Sequence, residues 1–312
     1  YEGYNSNSNS SYYQKFFIEL TAGRHTIEWK ATSTSESSST TFYLKGIAAF
    51  KIPTITVNVT QPGSLGTEIL YNVDHVKEVR KLKVKGGDLN SDDWERINMM
   101  TNLFDLDLTE TTVTSLPEIK PGSFFHKLKL PQGLITIQPS ALSNLPLDEL
   151  TFPATLTTIG ESALRYTRIK EVILPETTTN IGSYAFANDE SLLETYMPES
   201  VSSIGTYAFY GDRMLDKVTW SSQATTIPSH CFDGCYYITN FNLPEGITTI
   251  GSYAMRDNLR CKYKLPSTIT SIGDFAFEDA DQIDSLYIYN NTSVGCGAFQ
   301  YCSNIKYVEI GE

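Results

Sequence analysis

The feature that most constrains this chain is a pattern of largely apolar residues, Φ-x-x-Φ-x-Φ, that returns every 22 or 23 residues. A fixed period of about 20 to 50 residues is typical of solenoids, in which successive coils stack on one another. In chain order, the copies are Leu103/Leu106/Leu108, Phe125/Leu128/Leu130, Leu147/Leu150/Phe152, Ile169/Val172/Leu174, Leu192/Thr195/Met197, Leu215/Val218/Trp220, Ile238/Phe241/Leu243, Arg260/Tyr263/Leu265, Ile283/Leu286/Ile288 and Ile305/Val308/Ile310.

Each repeat consists of a predicted strand followed by a return. The alternation at the end of the pattern predicts a strand with one buried face, and a proline follows it in most repeats. An Ile-Gly step comes next, as in Ile250-Gly251, where we expect the glycine to allow a turn that a β-carbon would oppose. A small residue and an aromatic residue then follow, as in Ala208-Phe209, and we expect stacked coils to bury both.

The unit Leu-Pro-x-x-Φ-x-x-Ile-Gly-x-x-Ala-Phe, matched well by Pro244–Met255 and Pro266–Phe277, resembles the repeat of BspA-like leucine-rich repeat proteins of bacterial cell surfaces. The resemblance covers roughly residues 54–312. It implies a β-rich solenoid with a parallel, strand-lined face and short irregular or 3-10 returns. Members of that family are generally exported, and some are implicated in adhesion, so the resemblance also implies an extracellular or bacterial cell-surface location.

Three regions are predicted along the chain. Residues 1–52 contain strand-like runs between polar tracts, and the stretch AGRHTIEWKA resembles the closing strands of small β-sandwich modules, some of which bind carbohydrate. We interpret this small N-terminal β region as a remnant or truncation of such a sandwich. Residues 53–102 are expected to form a linker and the N-terminal cap of the solenoid, with one short helix capped by Asn90 or Ser91. Residues 103–312 hold the leucine-rich repeats.

Charge and residue spacing argue against several functions. The net charge of −12 disfavours nucleic acid and anionic membranes as partners. No apolar run has the length of a transmembrane segment, and this segment begins at Tyr1 without an export signal. The histidines (His25, His75, His126 and His230) are scattered, and the motifs of catalytic and phosphate-binding loops are missing. We therefore expect no catalytic residues, no metal site and no cofactor.

The five cysteines are expected to be free thiols that pack as small apolar residues. Their odd number and the missing C-x-x-C motif argue against a metal or redox device. Cys235 and Cys302 occupy the same repeat position three coils apart, about 14 Å, which is beyond the reach of a disulfide. A bridge between Cys231 and Cys235 is the one pairing that the sequence leaves open.

The outward positions of the predicted strands suggest where a partner could bind. In-register stacking would place opposite charges side by side, and such pairs stabilise a sheet. The pairs are Asp105/Lys127, Lys127/Glu149 and Glu194/Lys217. Charge pairing does not account for Tyr196, Tyr287 and Tyr307, which we predict to be binding residues unless neighbouring loops shield them. Trp29 is a candidate sugar-stacking residue, or else part of the core of a small sheet.

The sequence therefore predicts a non-catalytic surface or secreted binding protein that acts in adhesion through the strand-lined face of its solenoid. The expected partner is a protein or glycan on a host or neighbouring cell, and the chain is expected to be a monomer. Two alternatives remain open: carbohydrate binding by the N-terminal β region, and a passive structural spacer. An enzyme would require a clustered, buried pair of a histidine and a carboxylate.

Overall fold

The computed structural model describes residues 2–3, 14–15, 54–70, 72, 76–120, 122, 125–289 and 291–311. The backbone groups into two compact units, Tyr1–Ile52 and Pro53–Glu312. In the first unit, β1 (Glu2–Gly3) pairs antiparallel with β2 (Gln14–Lys15). Trp29 lies outside the described residues, so its sugar-stacking role stays a prediction.

The second unit is a parallel β-solenoid of about 11 turns with little helix, which confirms the fold class predicted from the repeat. Its helices are α1 (Leu65–Leu70) and α2 (Ser91–Asn98), and a 3-10 turn spans Val76–Glu78. The strands are β3 (Ile55–Val59), β4 (Lys81–Gly86), β5 (Asp105–Thr111), β6 (Ser115–Leu116), β7 (Lys127–Lys129), β8 (Thr136–Ile137), β9 (Thr158–Ile159), β10 (Glu171–Ile173), β11 (Asn180–Ile181), β12 (Glu194–Tyr196), β13 (Ser203–Ile204), β14 (Lys217–Thr219), β15 (Thr226–Ile227), β16 (Asn240–Phe241), β17 (Thr249–Ile250), β18 (Ser271–Ile272), β19 (Ser285–Ile288), β20 (Ser293–Val294) and β21 (Tyr307–Ile310).

One strand of most coils belongs to a long parallel ladder. The ladder is divided into three sheets, whose strand orders are β3-β4-β5-β7, β10-β12-β14-β16 and β19-β21. Equivalent residues of successive repeats are paired, as at Val172 and Thr195, and an isolated bridge joins Lys127 to Glu149. The in-register stacking predicted from the repeat is therefore confirmed. Residues 260–265, the weakest copy of the pattern, carry no strand.

The returns contain a second parallel ladder that the sequence did not predict. Two-residue strands pair through β6, β8, β9, β11 and β13, and again through β15, β17, β18 and β20. In most of these strands the second residue is a buried isoleucine, which at Ile181 and Ile250 belongs to the Ile-Gly step. Two residues cannot display an alternation of apolar and polar positions, so this ladder leaves no periodic signal.

Residues 53–102, expected to hold one short helix, hold two. Asn90 caps α2 as expected, because its side chain accepts the amides of Asp92 and Asp93. The Asp93 carboxylate in turn accepts the Asn90 amide at 3.1 Å and the Leu65 amide at 3.0 Å, which joins the start of α1 to α2. The signal for α1 was the spacing of Leu65 and Ile69, which lie one turn apart and are both buried.

The glycines of the Ile-Gly step allow close packing rather than a turn, which corrects the expectation. They are Gly160, Gly182, Gly205, Gly251 and Gly273, and all have negative φ. A β-carbon on Gly205 would lie 2.3 Å from the backbone nitrogen of Ser183 in the preceding coil. Because a closely packed interior has no room for such an atom, any side chain here would force adjacent coils apart.

Left-handed conformations occur instead at two positions, four residues apart, in the returns. Tyr207 (φ 61°) illustrates the first position and Gly211 (φ 74°) the second. Both amides donate to the next coil, that of Tyr207 to the Ser229 carbonyl at 3.1 Å and that of Gly211 to the Asp233 carbonyl at 2.9 Å. The conformation costs roughly 1–2 kcal/mol for an L-residue. These hydrogen bonds between coils offset that cost.

Aromatic rings at the first left-handed position form a continuous stack along the returns. Its members are Tyr184, Tyr207, His230, Tyr253 and Phe275. Successive ring centroids lie 4.5, 4.3, 4.7 and 5.1 Å apart, and the planes differ by at most 15°. The same position in the next coil is Gly297, where the stack ends.

Two substitutions of Tyr207 separate the stacking contribution from the backbone cost. We expect both Tyr207→Ala and Tyr207→Gly to lower the free energy of unfolding, because each removes two stacked ring contacts. The glycine variant should be the more stable of the two by about 1 kcal/mol, because glycine adopts a positive φ without strain. Urea denaturation followed by circular dichroism measures the difference. An alanine variant at least as stable as the glycine variant would contradict the assignment of strain.

The small and aromatic residues of the returns fill the core as predicted. Ala208 and Phe209 are fully buried. The ring of Phe209 stacks between those of Phe186 and Phe232, at centroid distances of 5.2 and 5.4 Å. Each coil therefore covers the apolar interior of the one before it, which a single repeat could not do alone.

All five cysteines are free thiols, so the Cys231–Cys235 bridge that the sequence left open is not formed. Cys231, Cys235 and Cys261 are buried, and Cys302 is partly buried. Cys296 is exposed, contrary to the expectation. It directly follows Gly295, a position of the return that points away from the core in other coils, as at the exposed Asp274.

Candidate functional site

The outward side chains of the long ladder form two columns on the strand-lined face. The first column contains Asp105, Lys127, Glu149, Glu171, Glu194, Lys217, Asn240, Lys262, Ser285 and Tyr307, and the second contains Asp107, Lys129, Thr151, Ile173, Tyr196, Thr219, Asn242, Lys264, Tyr287 and Glu309. The three predicted charge pairs are adjacent in register, which confirms them. For example, Lys217 Nζ lies 3.2 Å from Glu194 Oε2. Such pairs neutralise part of the face.

Three consecutive glutamates interrupt this alternation of charge. Glu149, Glu171 and Glu194 occupy the first column between Lys127 and Lys217. Glu171 and Glu194 are direct neighbours in register. Like charges on adjacent strands are destabilising, so this run is not explained by the stability of the sheet. Among the described residues, no ion pair is found for Glu171.

An exposed apolar pair lies in the second column beside these glutamates. Ile173 is 60% exposed and Tyr196 is 39% exposed, and the two are neighbours in register. The Tyr196 hydroxyl donates a hydrogen bond to Glu176 Oε1 at 3.3 Å. The negative charge of Glu176 is the main reason that the pKa of Tyr196 is raised, which keeps the hydroxyl protonated. We call Ile173, Tyr196, Glu149, Glu171 and Glu194 the central patch.

Sequence reasoning found Tyr196 but missed Ile173 as a candidate binding residue. The available signal was an aliphatic residue at an outward position of the repeat, where other coils carry polar or aromatic residues. A shallow groove of about 560 Å³ runs along the central patch. Its lining includes Glu149, Phe152, Lys170, Glu171, Ile173 and Leu174.

The other two predicted residues, Tyr287 and Tyr307, form a separate end patch on the last two strands. They are 39% and 59% exposed. Tyr287 contacts the ring of Tyr289 at a centroid distance of 4.6 Å, and the Tyr307 hydroxyl donates to Glu309 at 3.1 Å. Four coils separate Tyr287 from Tyr196, which corresponds to about 19 Å along the stack. The three predicted tyrosines therefore do not form one site.

Two histidine–carboxylate pairs occur among the described residues: His126 Nδ1 lies 3.5 Å from Oδ2 of the exposed Asp148, and His230 pairs with Asp233 on the returns. His230 Nδ1 lies 2.8 Å from Asp233 Oδ2, and Asp233 is buried. Arg256 donates to both oxygens of Asp233, at 2.8 and 2.9 Å. The rings of Tyr207 and Tyr253 cover the two faces of His230. Arg256 and the two stacked rings belong to the neighbouring coils, so His230 and Asp233 take part in a network that holds adjacent coils together.

The carboxyl groups of Asp189 and Asp212 are buried inside the solenoid. Each residue comes three positions after the buried phenylalanine of its return, and we call this repeat position the polar column. Asp189 Oδ2 accepts from the Thr167 hydroxyl at 2.8 Å, and Asp212 Oδ1 accepts the Asp189 amide at 2.8 Å. Burial raises the pKa of Asp189 to about 6. Burial, and next the charge of Asp189, raise the pKa of Asp212 well above its ordinary value. Asp212 Oδ2 has no hydrogen-bond partner among the described residues, and solvent cannot reach either side chain.

The described part of the chain contains no group of three or more His, Cys, Asp or Glu side chains arranged to hold a metal ion. None of its helices is long and apolar enough to cross a bilayer.

Comparison with solved structures identifies leucine-rich repeat proteins. A leucine-rich repeat protein from Bacteroides ovatus ATCC 8483 is 24% identical with a TM-score of 0.62, and the match covers 69% of this chain and 57% of that one. The chain thus spans little more than half the length of that protein. A leucine-rich cell surface protein from Faecalibacterium prausnitzii A2-165 is 18% identical with a TM-score of 0.37, and the match covers 85% of each chain.

No curated protein matches the sequence. By contrast, residues 107–216 and 202–312 match the family described as BspA type leucine-rich repeat region (6 copies). These matches span well over half of the chain and coincide with the stacked coils. The chain belongs to the BspA-type leucine-rich repeat family.

Proposed function

We propose that this chain is a non-catalytic binding protein, secreted or held at the cell surface, that adheres to a host or neighbouring cell through its strand-lined face. The observation that carries the proposal is the exposed pair of Ile173 and Tyr196, which are neighbours in register on a face made otherwise largely of polar and charged side chains. Membership of the BspA-type family supports a role in protein interaction or at a surface. A protein partner is favoured over a glycan, because Ile173, the more exposed member of the pair, offers a sugar no ring to stack on.

The central patch has the composition of an interaction hot spot. Tyrosine is enriched among such residues because it combines a large apolar ring with a polar end. Burying the exposed parts of Ile173 and Tyr196 under a partner would contribute on the order of 1–2 kcal/mol each. Strand pairing fixes the backbone of both residues, which lowers the entropy lost on binding.

Arrays of purified extracellular proteins and of glycans test the proposal with the labelled full chain. We expect protein ligands whose affinity falls roughly 30-fold, about 2 kcal/mol, in the double variant Ile173→Ala/Tyr196→Ala. The matched control is Ile135→Ala/Tyr237→Ala, which removes an exposed isoleucine and an exposed tyrosine away from the strand-lined face. That control should bind as the unaltered chain does.

Three results would count against the proposal. Equal binding by the central-patch variant and the control would show that the ligand binds elsewhere on the chain. Ligands found only among glycans would favour carbohydrate recognition, and Trp29 in the N-terminal region would be the next residue to test. An absence of ligands on both arrays would favour the passive spacer.

The end patch is tested in the same experiment. The double variant Tyr287→Ala/Tyr307→Ala removes its two most exposed rings without touching the central patch. We propose that it forms a second, independent contact, because it lies about 19 Å away along the stack. A ligand that needs both patches must therefore be large enough to span four coils. Within this proposal, residues 53–102 cap the solenoid, residues 103–312 provide the binding face, and the chain acts as a monomer.

A further inference from the structure

Carboxylates surround the exposed pair of Ile173 and Tyr196 on the strand-lined face. Glu149, Glu171 and Glu194 flank the pair in the neighbouring column, and Glu176 receives the hydrogen bond of the Tyr196 hydroxyl. The three glutamates of the column span two coil steps, about 10 Å. The apolar contact area therefore lies within a field of negative charge.

Few cations of the chain offset this charge. Lys217 is paired with Glu194 at 3.2 Å, at the border of the central patch. Lys127, at the other border, is bridged in register to Glu149. Lys170 lines the groove beside the patch. Glu171, in the middle of the three glutamates, is paired in register with Glu194 of the next coil rather than with a lysine.

We propose that the central patch binds a basic polypeptide segment in which arginine or lysine residues flank an aliphatic residue. This inference rests on the proposed function of the strand-lined face and assigns the class of its partner. We expect the side chains of the partner to make the main contacts, because the apolar and charged groups of the patch are the outward side chains of β10, β12 and the neighbouring coil.

The geometry of the patch suits an arginine side chain in particular. A guanidinium group over the exposed ring of Tyr196 gains a cation–π contact and reaches Glu176 or Glu194 with its donors. Its methylene stem can lie against Ile173 while the charged group remains hydrated. The adjacent aliphatic residue of the partner would enter the groove beside Ile173 and Phe152. Neither a neutral glycan nor an acidic protein satisfies both the apolar and the negatively charged parts of this surface.

Synthetic peptides test the assignment against the full chain by fluorescence anisotropy. The probe is a labelled 15-residue peptide that repeats Arg-Ser-Leu-Ser, and the matched peptide repeats Glu-Ser-Leu-Ser. We expect the basic peptide to bind at least 10-fold more tightly than the acidic one, and its affinity to fall as salt rises from about 0.1 M. Glu171→Gln should weaken binding roughly 3- to 10-fold, and Tyr196→Ala at least as much.

Controls separate a local site from general attraction to a chain of net charge −12. Glu161→Gln removes one exposed carboxylate away from the strand-lined face and should leave peptide binding unchanged. The charge reversal Glu171→Arg should reduce or reverse the preference for the basic peptide. Equal effects of Glu161→Gln and Glu171→Gln would overturn the proposal, and so would equal binding of the two peptides.

Failure of this inference can be distinguished from failure of the proposed function. If array ligands still depend on Ile173 and Tyr196 but the basic peptide does not bind, the face is a binding surface and its partner is not basic. If neither the array ligands nor the peptide respond to Tyr196→Ala, both are wrong.

Discussion

Replacing Gly205 with alanine is expected to destabilise the solenoid by about 3 kcal/mol, since the new β-carbon meets backbone rather than a side chain that can move. It would lie 2.3 Å from the Ser183 nitrogen and 2.6 Å from the carbonyl carbon of Gly182. The preceding coil could escape only by moving away, which would strain the ladders on either side. In a thermal melt followed by circular dichroism, the midpoint should fall by roughly 6 °C or more.

Gly133→Ala is the matched control for this prediction. No heavy atom lies within 4 Å of a β-carbon built on Gly133, and its φ is not in the left-handed region. Alanine there should leave the melting temperature unchanged or raise it slightly, because it reduces the freedom of the unfolded chain. Similar melting temperatures for the two variants would show that the Ile-Gly glycines are not required for close packing.

A second large effect is expected from two single variants, Asn258→Asp and Asp212→Asn. The two residues occupy the same position of the polar column, two coils apart. Asn258 Nδ2 donates to the Phe232 carbonyl at 2.8 Å, and its Oδ1 accepts from the Tyr263 hydroxyl at 2.6 Å. Asn258→Asp would lose that donor and bury a carboxylate, which should cost about 3 kcal/mol or more at neutral pH. Asp212→Asn should instead stabilise the chain by about 1–3 kcal/mol at neutral pH, since it removes a buried carboxylate whose Oδ2 has no partner in the described part of the chain.

The pH dependence of these variants has a defined sign. The pKa of Asp212 is raised in the folded chain, so the unfolded chain ionises first as pH rises. The contribution of Asp212 to stability is therefore fully present below its ordinary pKa of about 3.8 and is lost as pH rises towards its folded value. The advantage of Asp212→Asn should grow from about pH 4 to pH 7, and the deficit of Asn258→Asp should grow with it. Chemical denaturation at both pH values measures this, and a pH-independent difference would contradict it.

The period of the sequence predicted the class of fold and the register of the long ladder, because each coil repeats the same burial pattern. Buried positions such as Leu215 and Phe209 followed directly from it. The reason for the Ile-Gly glycines did not follow from the period. The sequence shows that these positions have no side chain, but it does not show which neighbouring atoms leave no room for one. The two-residue strands and the left-handed tyrosines also left no signal that a periodic analysis detects.

The candidate site was predicted less completely for a related reason. Outward positions were identified correctly, and their charge pairing was confirmed at Glu194 and Lys217. The prediction grouped exposed tyrosines by residue type, and so placed Tyr196 with Tyr287 although they are four coils apart. It did not include Ile173, the neighbour of Tyr196 in register. Proximity along the stack depends on counting coils, so a binding site has to be sought among outward residues of adjacent repeats.

The close approach of the coils at the Ile-Gly glycines also fixes the scale on which this surface can change. Each coil contacts only the coils on either side, and the backbone contact sets a constant step between them. Outward side chains at equivalent positions are therefore evenly spaced along the stack. A whole repeat could be inserted, deleted or exchanged without changing the spacing within the remaining repeats. A shift of one or two residues within a coil, by contrast, would put its outward and inward residues out of register with both neighbouring coils.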